Sequence, residues 1–89
     1  MHFVWFADNA AAHEAKHGVS FEEAATAFDD VNARVELDES SDRRIVLIGM
    51  STHARILFVV FAEIHEDIIR IIAARKASPT QRRRYGKTR

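Results

Sequence analysis

The 89-residue sequence contains no cysteine, only one proline and only three glycines. Without cysteine, the chain cannot form a disulfide scaffold, a zinc-thiolate site, an iron–sulfur cluster or a thiol nucleophile. Its longest apolar run, residues 56–62, is far shorter than the ~18–20 residues that a membrane-spanning helix needs. The first six residues also lack the basic leader and the small-residue cleavage site of a secretory signal. We therefore expect a soluble protein of the cytoplasm.

The composition is that of a folded domain. It is 47% hydrophobic and 29% charged, which excludes collagen-like, low-complexity and wholly disordered classes. A domain of this size hides only ~60–65% of its unfolded surface when it folds, so the chain has no room for a second core. We predict one domain over residues 1–89.

The net charge of zero conceals a strong asymmetry along the chain. Residues 1–69 carry five basic and thirteen acidic side chains, a net charge of −8. Residues 70–89 carry eight basic side chains and no acidic ones, a net charge of +8. A cationic block attracts polyanions by releasing their counterions, and the acidic remainder repels them elsewhere. The pattern predicts one localised polyanion site, unless the basic block is only a solvated tail.

Periodicity and capping signals predict eight elements in the order β-α-α-β-β-β-β-α. Gly18 ends the first helix, Ser20 and Glu23 form a capping box for the second, and Ser78 caps a last helix that starts at Pro79. The predicted strands are 2–6, 31–37, 43–50, 55–64 and 68–76, the predicted helices are 7–17, 21 to about 30 and 79–85, and residues 38–42 are a polar loop. Because the links are short, neighbouring strands must be antiparallel. We predict an α+β domain with an antiparallel meander sheet and its helices packed on one face.

The basic residues near the end of the chain are candidates for phosphate binding. Arg70 and Arg75 are five positions apart on one predicted strand, so alternation puts them on opposite faces unless a bulge intervenes. Without a bulge, Lys76 shares a face with Arg70. The last helix adds Arg82, Arg83 and Tyr85, and a cleft between strand end and helix would hold guanidinium groups, an ammonium group and a phenol.

Such a cleft suits RNA cleavage without a metal ion. An arginine donates two hydrogen bonds at once to a phosphate, and a tyrosine can stack on a base or transfer a proton. When a 2′-hydroxyl attacks the neighbouring phosphorus, the site must stabilise the phosphorane and move protons. The alternative is structural: Tyr85 packs the last helix onto the sheet, and Arg70 forms a salt bridge with Glu63.

The five histidines do not make a recognisable metal site. His13 and His17 have the i, i+4 spacing of a zinc-binding helix face, but no third ligand is identifiable, and Asp29 and Asp30 mark a turn. His17 lies beside Gly18 at a loop edge, and histidine is the side chain that ordinarily exchanges protons near neutral pH, so it is a candidate for proton transfer. Its alternative role is to cap the end of the helix.

Five segments, in order and with compatible spacing, resemble a known family: 16–24 (KHGVSFEEA), 28–29 (FD), 48–51 (IGMS), 70–77 (RIIAARKA) and 82–85 (RRRY). They are similar to the BrnT family of ribonuclease toxins. The resemblance implies a fold similar to RelE, RNA as substrate, no cofactor, and inhibition in a hetero-oligomer by a BrnA-like ribbon-helix-helix antitoxin. Operator DNA would be bound only through that antitoxin. The resemblance implies catalytic roles for Arg70, Arg75, Lys76, Tyr85 and His17, and a role in RNA binding for Lys16. The basic last helix adds Arg82 and Arg83 as further RNA-binding candidates.

The chain departs from the family pattern at three places. The family usually has aromatic-Asp-Pro-x-Lys before the first helix, whereas Trp5 is followed here by residues 6–9, FADN. Residues 72–76 (IAARK) lack the usual hydroxyl, and Gln81 stands where a glutamate is frequent. Either these groups are dispensable, or the chain is a weakened toxin that acts mainly as antitoxin partner and co-repressor.

Overall fold

The computed structural model describes residues 1–39 and 43–87. The elements are β1 (His2–Val4), α1 (Ala7–His17), α2 (Phe21–Thr26), a 3₁₀ turn (Ala27–Asp29), β2 (Arg34–Leu37), β3 (Ile45–Met50), β4 (Ile56–His65), β5 (Ile68–Lys76) and α3 (Pro79–Lys87). The α+β class and the predicted order are confirmed. Residues 40–42 of the predicted polar loop and residues 88–89 lie outside the described part.

The five strands form one sheet in the order β1-β5-β4-β3-β2. Strands β2 to β5 make the predicted antiparallel meander. The exception is β1, which pairs in parallel with β5, with His2 opposite Ile68 and Val4 opposite Arg70. The sheet is therefore mixed. Short links force neighbouring strands to be antiparallel, but β1 and β5 are joined by residues 5–67, which is long enough for a parallel pair.

Local signals determine where α1 ends and where α2 begins. Gly18 adopts the left-handed conformation at φ 72°, and its amide donates to the carbonyl of Glu14. The Ser20 hydroxyl accepts from the Glu23 amide at 3.0 Å, as a helix cap requires. The other half of the predicted capping box is wrong, because the Glu23 carboxylate accepts hydrogen bonds from Ser51 and Arg55 instead.

Helices cover both faces of the sheet, and the prediction that they share one face is wrong. One face, here the α1–α2 face, carries the larger core, which includes Phe21, Leu57, Val59 and Ile71. The opposite face, here the α3 face, carries a second apolar cluster: Val46, Ile48, Ala77 and Tyr85, with Ile56, Phe58 and Val60 packed against it. Strands β3 and β4 are thus apolar on both faces, and each face needs a covering helix.

A β-bulge in β5 changes which side chains share a face. Val60 is opposite Ala73, whereas the next residue, Phe61, is opposite Ile71, so Ile72 is an extra residue on β5. Side chains that would alternate regularly along the strand are therefore shifted by one position after Ile72. Within the described residues, no helix is both long and apolar enough to cross a bilayer.

Candidate functional site

Arg70 and Arg75 lie on the same face of the sheet because of this bulge. Arg75 is opposite Phe58, a residue of the α3-face cluster, and Arg70 is opposite Ala62, four positions further along β4. Lys76 is opposite Leu57 of the α1–α2 core, so its side chain leaves the sheet on the other face. The sequence predicted opposite faces for Arg70 and Arg75 unless a bulge lies between them. Because the bulge is present, Arg75, not Lys76, shares a face with Arg70.

The guanidinium group of Arg75 is held by three contacts. It lies 4.3 Å from the ring centroid of Phe58, and its Nη1 donates to the Lys76 carbonyl at 3.1 Å and to Oε1 of Gln81 at 3.0 Å. Gln81 is itself fixed at the start of α3, where its Oε1 accepts from the Ser78 amide and its amide donates to the Ser78 hydroxyl. The capping box of α3 therefore also orients Arg75.

Arg70 contacts an aromatic ring from another part of the chain. Its guanidinium carbon is 4.9 Å from the ring centroid of Phe6, the residue before α1. Within residues 1–39 and 43–87, no salt bridge joins Arg70 to Glu63, so that predicted alternative is wrong. Both side chains instead line a cavity of about 610 Å³ with Arg43. Arg70 therefore faces open space.

A second cavity of about 310 Å³ lies beside α3. Phe58 lines it together with Gln81, so this cavity adjoins the two residues that contact the Arg75 guanidinium. Glu36 also lines it, but this carboxylate is paired with Arg34 and, at 3.3 Å, with Arg84. These pairs offset its negative charge, which would otherwise oppose phosphate binding.

Tyr85 lies on the side of α3 that faces the sheet, and only 6% of its surface is exposed. Its hydroxyl donates to Oδ2 of Asp30 at 2.7 Å, and the same oxygen accepts from the Met50 amide. This contact ties α3 to the end of β3, as the structural alternative for Tyr85 predicted. Arg82 and Arg83 lie on the exposed side of α3, where Arg83 donates to the Thr80 hydroxyl.

Lys16 and His17 lie at the end of α1, a helix that packs against the α1–α2 core through Ala10. The His17 ring stacks on His13 with centroids 5.6 Å apart. Burial lowers the pKa of His13, and the nearby His17 and Lys16 lower it further. The structure therefore does not bring Lys16 and His17 onto the arginine face. Among the described residues, no three or more metal-ligating side chains come together.

Three side chains named from the sequence have structural roles that were not predicted for them. Glu23 is a buried carboxylate whose pKa is lowered, chiefly by hydrogen bonds from Arg55, and Asp30 accepts the Tyr85 hydroxyl. Gln81 orients Arg75. The pattern Ser78-Pro-Thr-Gln81 is a capping-box signal that could have identified Gln81, whereas the partners of the two acids are distant in sequence.

The comparisons with known proteins agree on one family. Residues 5–81 match the family model described as the ribonuclease toxin, BrnT, of type II toxin–antitoxin systems. The crystal structure of the Brucella abortus ribonuclease toxin BrnT is similar, with a TM-score of 0.73 and 26% sequence identity. That match covers 88% of this chain and 97% of the other. No curated protein matches the sequence. The family match includes Arg70, Arg75 and Gln81, and it ends before Tyr85.

Proposed function

The chain belongs to the BrnT family of ribonuclease toxins of type II toxin–antitoxin systems, and we propose that it is itself a metal-independent endoribonuclease. The observation that best supports this proposal is that Arg70 and Arg75 lie on the same face of the sheet, the α3 face, and that each adjoins a cavity. Two guanidinium groups there supply donors for the oxygens of a phosphodiester. The substrate proposed is RNA, because the 2′-hydroxyl provides the nucleophile and no bound cofactor is needed.

The proposed reaction is an internal transfer at phosphorus. The 2′-oxygen forms a bond to phosphorus, the bond to the 5′-oxygen breaks, one proton leaves the 2′-hydroxyl and one reaches the 5′-oxygen. Arg75 would stabilise the charge of the phosphorane. Its guanidinium is already oriented by Phe58 and Gln81, so little reorganisation is required as charge develops.

Tyr85 and His17 are the groups predicted from sequence to move the protons. The Tyr85 hydroxyl is engaged by Asp30, and His17 belongs to the opposite face. Their catalytic roles, and that of Lys76, stay predictions. Lys16, Arg82 and Arg83 are proposed to attract RNA from the rim of the molecule, because exposed cations contribute through counterion release.

We also propose that a BrnA-like ribbon-helix-helix antitoxin inhibits the protein in the cytoplasm by covering the α3 face. Membership of a type II toxin–antitoxin family implies a protein partner. An acidic or extended segment of that partner would compete with phosphate for Arg70 and Arg75. Operator DNA would then be bound by the antitoxin within the hetero-oligomer.

A second candidate function is that of a weakly active toxin that serves mainly as antitoxin partner and co-repressor. The position of Tyr85 favours it, because the phenol is buried and its hydroxyl proton is directed at Asp30 and not at the open surface. The departures at residues 6–9 and 72–76 point the same way.

Expression without an antitoxin, followed by RNA cleavage with purified protein in EDTA, tests the proposal. We expect growth arrest and cleavage that EDTA does not prevent. No cleavage, combined with tight binding to the product of a neighbouring ribbon-helix-helix gene, would favour the second candidate. If high salt weakens the complex between this protein and the antitoxin, that result would support the proposal that the antitoxin covers Arg70 and Arg75 on the α3 face.

A further inference from the structure

Phe6 occupies a position where its residue type is locally unfavourable. It is the N-cap of α1, and its side chain makes no capping hydrogen bond. Helices prefer serine, threonine, aspartate or asparagine here, because their oxygen atoms accept from free backbone amides. The ring is also 62% exposed, so neither capping nor burial explains a phenylalanine at this position. Residues that break local rules in this way concentrate at functional sites.

The surroundings of Phe6 associate it with the arginine face. Val4 is opposite Arg70 in the parallel pair of β1 and β5, and Phe6 follows Val4 by two residues. The Arg70 guanidinium lies 4.9 Å from the centre of the Phe6 ring. Within residues 1–39 and 43–87, this guanidinium makes no hydrogen bond or ion pair with another protein group. Its donors are therefore available to a ligand.

The second arginine–aromatic pair of this face is different. Phe58 is partly buried against the α3-face cluster, and Arg75 covers its ring while bonded to Gln81. Among the exposed large apolar residues of the described part, Phe6 alone is aromatic. It is thus the ring on which a further flat group can stack.

We propose that Phe6 and Arg70 form a subsite for one unpaired nucleotide of the RNA. The base stacks on the exposed Phe6 ring, and Arg70 donates to the adjoining phosphate. Aromatic rings and guanidinium planes are the usual partners of splayed bases, which a duplex does not offer. This inference rests on the proposed function and specifies its substrate as single-stranded. Because Ile72 is an extra residue, Arg70 and Arg75 are four strand positions apart, or roughly 13 Å, so this subsite holds a different nucleotide from the one at Arg75.

Binding of a non-cleavable probe tests the subsite separately from catalysis. The probe is a fluorescein-labelled 2′-O-methyl RNA decamer of mixed sequence, which lacks the attacking hydroxyl, used alone and annealed to its complement. Fluorescence anisotropy with the 89-residue protein gives both affinities. We expect the single strand to bind more tightly than the duplex.

The variants are chosen so that stability and binding change in opposite directions. Phe6→Ser removes the ring but introduces a good N-cap, so we expect an unchanged or higher Tm together with about tenfold weaker binding of the single strand. Phe6→Trp retains a stacking surface and should bind within about twofold of wild type. Val35→Ser is the control, because Val35 is similarly exposed, at 60%, but its strand partner Leu47 belongs to the α1–α2 core.

The outcomes separate the subsite from the function on which it rests. If wild type binds the single strand and Phe6→Ser binds it equally well, the subsite is refuted while RNA binding stands. Equal affinity for the duplex would also refute stacking on Phe6. If wild type neither binds the probe nor cleaves RNA, the proposed function fails and the subsite fails with it.

Discussion

The two faces of the sheet use arginine in different ways. On the α1–α2 side, Arg55 donates to the buried Glu23 carboxylate and to the Gly18 carbonyl, which joins α2 to the turn between β3 and β4. On the α3 face, Arg70 and Arg75 lie against aromatic rings. An arginine paired with a buried carboxylate has its charge neutralised within the fold, whereas one held by a ring retains its charge for a ligand. On the α3 face Glu36 also pairs with Arg34 and Arg84, so the guanidinium charges that this face keeps for a ligand are those of Arg70 and Arg75.

The largest expected effect is on RNA cleavage, and it should differ between basic side chains on the two faces of the sheet. Arg75→Ala removes an oriented guanidinium from the α3 face and should lower kcat for RNA cleavage by about 10²- to 10³-fold. Lys76→Ala removes a positive charge at the next position but on the opposite face, so its loss should be much smaller. Single-turnover cleavage of a labelled RNA measures both. Equal losses of kcat would show that activity does not depend on which face of the sheet carries the basic side chain. An unchanged rate for Arg75→Ala would show that Arg75 is not part of the site.

The next effect concerns stability on the α1–α2 side. Glu23→Gln removes the charge of a carboxylate whose side chain is 3% exposed and leaves Arg55 without its ionic partner. Because the Arg55 side chain remains 32% exposed, we expect a loss of about 2–3 kcal/mol, less than for a fully buried pair. Glu22→Gln, the exposed neighbour, should change stability by less than about 0.5 kcal/mol. Urea denaturation compares them, and equal stability of the two variants would contradict a structural role for the pair.

The same carboxylate predicts how stability depends on pH. Hydrogen bonds from Arg55 hold the pKa of Glu23 below its ordinary value of 4.5 in the folded protein. The unfolded chain therefore binds the proton more readily, so this contribution is present above about pH 4.5 and is lost as pH falls through the folded-state pKa. Below pH 4.5, wild type should lose stability more steeply than Glu23→Gln. Parallel curves would show that Glu23 does not cause the loss.

A smaller effect is expected where α3 is tied to the sheet. Tyr85→Phe keeps the buried ring but removes the hydrogen bond to Asp30, and should cost about 1–2 kcal/mol in urea denaturation. Its effect on cleavage by folded protein should be smaller than that of Arg75→Ala. A hundredfold loss of kcat without a loss of stability would instead show that the hydroxyl takes part in the chemistry.

The smallest effect tests how Arg75 is oriented. Gln81→Leu removes the Oε1 acceptor and half of the α3 capping box, and should cost about 1 kcal/mol of stability. It should also lower kcat more than it raises KM, because the guanidinium would remain but lose its orientation. Gln81→Glu restores the acceptor and should recover most of kcat. Loss of the same size in both variants would contradict this positioning role.

The parts predicted best from sequence are those decided by neighbouring residues. Gly18 and Ser20 acted as predicted, because a left-handed residue and a capping hydroxyl act within one helical turn. The helix at 7–17 and the strand at 68–76 have the predicted bounds. The wrong predictions involve distant partners. The Glu23 carboxylate, for example, binds Arg55, 32 residues away, in preference to its own helix end.

The sequence by itself determined the element order, the segregated charge and the family to which the chain belongs, because each depends on residue types and their spacing along the chain. Only the tertiary structure decided which faces those residues share. The extra residue at Ile72 brings Arg70 and Arg75 to one side, and α3, which follows a two-residue link after Lys76, packs on that side as well. A shift of one residue in a strand reverses every later side chain, and that shift is set by pairing with β4.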